Sequence, residues 1–73
     1  MSLAELNMKI LVNGEEKSFK ENSTVFDMLK ELNLNSSGIV VEKNLQIIKK
    51  EDYQNTPLKD DDKFEIIRFM GGG

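Results

Sequence analysis

Three consecutive glycines, Gly71-Gly72-Gly73, close the chain directly after the strand-like run Arg68-Phe69-Met70, and they are three of its five glycines. Glycine loses more backbone freedom on ordering than any other residue, so such a run adds nothing to a fold. It does make a thin, extendable arm whose terminal carboxylate can enter a site too narrow for any Cβ. At pH 7 an α-carboxylate, with a reference pKa of about 3.3–3.7, is an anion and a poor electrophile. A bond can form there only after one oxygen becomes a leaving group. Three extended residues reach about 10 Å, and ordering each costs on the order of 1–2 kcal/mol. The expectation is an arm that is mobile in the free protein, with Gly73 carrying the reacting atoms and Gly71 and Gly72 supplying reach. A frayed end or a cloning linker is the plainer alternative, and what precedes the glycines argues against it.

Other groups offer less chemistry. The chain has no histidine and no cysteine. It therefore lacks the usual general base near neutral pH, the commonest metal ligand and any thiolate. Asp60-Asp61-Asp62 reads as a solvated turn, since three adjacent carboxylates in a turn cannot all converge on one ion. No metal site is expected. Asp52 and Tyr53 imply no pocket, and Tyr53 reads as packing its ring on the sheet edge. A self-sufficient enzyme is the least favoured reading.

The formal net charge is −3 with a sequence pI of about 4.9. A mildly acidic surface argues against nucleic acid and anionic membranes. It suits a protein partner with a basic docking surface. No apolar run has transmembrane length, and the start lacks the n-region and h-region of a signal peptide. A cytoplasmic protein is expected.

The elements that must position the arm follow from periodicity. Residues 1–7 fall outside the pattern and read as a remnant of expression or a short N-terminal extension. Residues 8–70 form the domain and 71–73 the flexible glycine tail. Met8, Ile10 and Val12 alternate with Lys9, Leu11 and Asn13, a strand with one buried face. Asn13-Gly14 is the strongest short hairpin signal, and Lys17 to Lys20 returns, burying Phe19. Thr24 caps a helix with Asp27 completing a capping box; Val25, Met28, Leu29 and Leu32 form its apolar stripe. Asn33 or Asn35 ends it, and Ser36-Ser37-Gly38 is the loop. Ile39 to Glu42 is a strand, Lys43-Asn44 a turn and Leu45 to Ile48 a further strand. A connection with one helical turn near Asp52-Tyr53 precedes the turn Lys59–Asp62 and a last strand, Lys63 to Met70.

The order β-β-α-β-β-β describes an α+β roll, a mixed four- to five-stranded sheet with one helix packed on one face. The opposite face stays open. Strand alternation puts Leu11, Ile67 and Phe69 on it, near the tail, as an interaction patch. Arg68, the only arginine, is a further partner-binding candidate.

The motifs Ile10-Leu11-Val12-Asn13-Gly14-Glu15, Thr24-Val25, Leu32-Asn33-Leu34, Thr56-Pro57-Leu58-Lys59-Asp60 and Glu65-Ile66-Ile67-Arg68, in that order before the glycines, resemble the ThiS sulfur carriers of thiamine biosynthesis. These are ubiquitin-like β-grasp proteins of the ThiS/MoaD superfamily, and the resemblance runs from Met8 to Gly73. Asp61 stands where such sequences usually carry glycine.

The resemblance implies a substrate of enzymes that is not itself one. A ThiF/MoeB-like adenylyltransferase would use ATP and magnesium to make an acyl-adenylate at Gly73. A sulfur donor such as a cysteine desulfurase persulfide would convert it to a thiocarboxylate. Thiazole synthase (ThiG-like) would receive the sulfur. No cofactor is expected on this chain. The alternatives are a molybdopterin-synthase small subunit-like carrier, a ubiquitin-like modifier and a passive β-grasp binding module.

Overall fold

Alternation builds the first hairpin. The computed structural model describes residues 6–69. In it, β1 (Asn7–Val12) buries Met8, Ile10 and Val12, and pairs antiparallel with β2 (Glu15–Lys20), whose Phe19 joins them. Asn13 and Gly14 take φ of 51° and 82°, the double positive φ of a type I′ turn. Both strands are longer than expected, because Asn7 still pairs with Lys20 and Glu15 with Val12.

The helix α1 (Val25–Glu31) starts as its sequence dictates. Thr24 Oγ1 accepts from the Asp27 N–H, and Asp27 Oδ2 accepts from the Thr24 N–H, a reciprocal capping box. It ends in a Schellman motif: Asn33 N–H donates to Lys30 O and Leu34 N–H to Leu29 O, with Asn33 at φ 58°. Asparagine tolerates this conformation better than most residues, which decides between the two expected endings in favour of Asn33.

After the loop come β3 (Ile39–Lys43), β4 (Gln46–Ile48), a 3₁₀ helix (Lys50–Asn55) and β5 (Lys63–Arg68). The strand order is β2-β1-β5-β3-β4, with β5 parallel to β1 and antiparallel to β3. The last strand is therefore the centre of the sheet. Val25, Met28 and Leu29 of the helix close the core over Ile10, Val41, Phe64 and Ile66.

Two expectations are corrected. The second hairpin turns at Asn44-Leu45, with φ of 50° and 73°, so Leu45 is in the turn and not in β4. Leucine is a poor residue for positive φ, and its side chain is 89% exposed. Tyr53 belongs to the core cluster, 3% exposed, buried more deeply than a ring laid on the sheet edge would be. Here the 3₁₀ helix packs under α1. The connection is pinned there by Val25 N–H to Thr56 O and Leu58 N–H to Ser23 O.

Burial raises the Tyr53 phenol above its ordinary pKa of 10 by desolvation. The unfolded chain then ionises first, so this contribution is whole below about pH 10 and is lost as pH rises through the folded value. Denaturant midpoints measured from about pH 8 to 11 should fall above about pH 10, and fall less in Tyr53→Phe. Matching pH profiles for the two proteins would contradict it.

Candidate functional site

The expected reacting end follows β5 in the chain, so what holds β5 sets where that end leaves the body. Phe64 and Ile66 anchor it in the core, 1% and 9% exposed. Toward β3, the ladder continues past the strand, with Phe69 N–H donating to Gly38 O at 2.9 Å. Met70 and the glycines Gly71, Gly72 and Gly73, with the mobility expected of that tail, lie outside the described residues.

Both hairpin asparagines reach β5 with their side chains. Asn13 Oδ1 accepts from the Ile66 N–H at 2.7 Å and Asn13 Nδ2 donates to Ile66 O at 3.2 Å. Asn44 Oδ1 accepts from the Lys63 N–H at 3.0 Å. Asn44 Nδ2 donates to Asp62 Oδ1 at 3.1 Å. Positive φ selects asparagine at both sites, and the amide then serves as an extra rung.

The acidic run is corrected from a solvated turn to a built one. Asp60 Oδ1 accepts from the Lys9 N–H at 2.8 Å. Asp61 sits at φ 70°, a backbone conformation that glycine adopts most readily. Asp62 is buried, accepts from the Lys59 N–H at 2.8 Å and lies 3.7 Å from Lys43 Nζ. Two of the three carboxylates are thus occupied with backbone. Among the described residues no cluster of His, Cys, Asp and Glu could hold a metal ion.

The open face divides in two. Register places Lys9, Leu11, Glu16 and Ser18 on the β1–β2 half, where Lys9 and Glu16 form an exposed ion pair at 3.7 Å. On the β5–β3–β4 half, Ile67 lies opposite Val40, and Ile47 opposite Glu42. Ile67, Phe69 and Ile47 are 47%, 62% and 69% exposed. The run Leu45–Ile48 shows no face in the sequence, and Ile47 is placed on the open side only once Leu45 is taken into the turn.

The structure does not gather all the expected docking residues. Leu11 is half-buried and level with Lys63, four residues before Ile67. That is about 13 Å along the strand. Arg68 shares the parity of Phe64 and Ile66, so it projects from the helix side, beyond the end of α1. Ile67 and Phe69 remain together beside the point where the tail leaves. No helix among the described residues is long and apolar enough to cross a membrane.

Comparison with known proteins gives the architecture a context. A family model described as the ThiS family matches residues 8–73. The sulfur carrier protein ThiS of Bacillus subtilis is 38% identical over 63 residues, covering 85% of this chain and 96% of that protein. A thiazole synthase of Paramagnetospirillum magneticum is 44% identical over 66 residues, 90% of this chain, and the chain spans 20% of that relative's length. The crystal structure of a thiamine biosynthesis protein (ThiS) from Geobacter metallireducens superposes with a TM-score of 0.77 at 32% identity, covering 90% of this chain and all of that one. The sheet and helix are those of the ubiquitin-like β-grasp fold.

Proposed function

The chain belongs to the ThiS family, and from that membership we propose that it is a sulfur carrier of thiamine biosynthesis whose reacting group is the α-carboxylate of Gly73. It is a carrier and not an enzyme. The observation that carries this reading is the family match through Gly73 on a domain whose central strand, β5, ends five residues before it.

The chemistry follows from the carboxylate. An adenylyltransferase of the ThiF/MoeB type joins AMP from ATP to one oxygen and releases pyrophosphate, with magnesium on the enzyme's side balancing phosphate charge. Sulfur then displaces AMP. When the donor is a persulfide, two electrons from a thiol free the thiocarboxylate. Its sulfur is the nucleophile passed to thiazole synthase. The similarity between this chain and one fifth of a thiazole synthase favours that acceptor over a molybdopterin precursor.

In this reading the body docks by the open face, through Ile67 and Phe69, while Gly71 and Gly72 carry Gly73 inward. The activating enzyme, ATP and a persulfide-loaded desulfurase from the same organism are the reagents of the test. Intact mass should rise by the difference between one sulfur and one oxygen, localised to the C-terminal fragment. An unchanged mass with active enzymes would overturn the proposal. High-mass lysine conjugates would instead identify a protein modifier.

A further inference from the structure

Strand β5 loses its parallel partner before it ends. Backbone pairing with β1 covers Leu11↔Lys63 and Val12↔Phe64, and the hairpin then turns away at Asn13. On the β3 side the pairing continues to Ile39↔Arg68 and to the Phe69–Gly38 hydrogen bond. Successive residues of a strand aim their backbone groups at opposite neighbours. Lys63 and Phe69 bond on the β3 side, so Phe64, Ile66 and Arg68 face the side that β1 vacates.

Asn13 fills that side. Its own N–H donates to Phe64 O at 2.9 Å, and its side-chain amide then takes both backbone groups of Ile66. The amide is the last rung on this flank among the described residues. Without it, the last residue bonded on this flank moves from Ile66 back to Phe64, and the stretch held from β3 alone lengthens from 67–69 to 65–69.

We infer that Asn13 is a positioning residue for the acyl-transfer end: its side chain fixes the direction in which β5 delivers the glycines. This rests on the carrier reading above. Asn13 touches no reacting atom and acts through Ile66. Asn44 provides an internal comparison, because it clamps Lys63 at the other end of β5, six residues before Phe69.

Glycine substitution separates the two jobs of each asparagine. Asn13→Gly and Asn44→Gly keep a residue suited to positive φ and remove only the amide. Both should lower the melting temperature modestly. Amide exchange at Ile66 should accelerate in Asn13→Gly and not in Asn44→Gly. Adenylation kcat should fall about tenfold in Asn13→Gly with KM for the carrier unchanged, since orientation is lost while the docking face is intact. Asn44→Gly should stay within about twofold of wild type. Asn13→Asp keeps the acceptor for the Ile66 N–H and should fall between.

Equal kcat losses in the two glycine variants, or none in Asn13→Gly, would overturn the inference. So would an Ile66 amide that exchanges no faster in Asn13→Gly, and that readout needs no partner enzyme. A wild-type chain that accepts no AMP defeats the carrier reading itself, and the positioning role with it.

Discussion

A chain lacking Gly73 should fold like the full-length protein and yet be adenylated at least about a hundredfold more slowly. The deletion leaves a diglycine end, so composition and flexibility are nearly preserved. What changes is position: the carboxylate retreats by one extended residue, about 3.3–3.6 Å. Near-attack geometry requires reacting atoms within about 3–3.5 Å, and misplacement by about 1 Å already costs on the order of a hundredfold. In the proposed complex the body cannot follow to restore the contact, because the sheet face sets the docking and β5 the exit. Pyrophosphate release with saturating carrier measures the effect, and circular dichroism checks the fold. Equal rates for both chains would mean that the partner reads the glycines and not their reach.

The second large effect concerns docking. Ile67→Ala/Phe69→Ala should weaken the complex with the activating enzyme by roughly thirtyfold, about 2 kcal/mol. Both side chains are about half exposed or more, so their removal takes little from the core. Buried aromatic and aliphatic anchors at the centre of an interface carry most of its energy, while rim charges mainly affect the encounter rate. Leu11→Ala is the useful contrast. Its distance from Ile67 along the sheet predicts a loss below about threefold. Calorimetric titration distinguishes the two. Comparable losses for Leu11 and for the Ile67/Phe69 pair would show that the partner covers the whole face, ion pair included.

Much of this architecture was readable from periodicity. The alternation Met8-Ile10-Val12, the Asn13-Gly14 turn and the Thr24–Asp27 capping box are local, and each formed as local chemistry demands. The glycine end suggested the proposed reacting group without any fold. What stayed hidden depends on residues far apart in the chain. The second job of Asn13 requires Ile66, 53 positions away. The structural use of Asp60 requires Lys9, 51 positions away. Neither partner is implied by a turn motif. Leu45 misled for a different reason, since an apolar residue beside Gln46 reads as strand, and only the register Lys43↔Gln46 forces it into the turn. Arg68 follows the alternation already legible in this strand: with Phe64 and Ile66 facing inward, residue 68 falls on the helix side, away from Ile67 and Phe69.

Central placement of β5 has a mechanical consequence. A partner that grips the glycines and then lets go tugs the domain along the axis of this strand. Because β3 flanks it as far as Phe69, and β1 with Asn13 as far as Ile66, such a tug loads the rungs in parallel, in shear, and does not peel them off one at a time as it would at a sheet edge. On the carrier reading, withdrawal from a partner then spends its force on sliding the arm out and not on unravelling the body behind it.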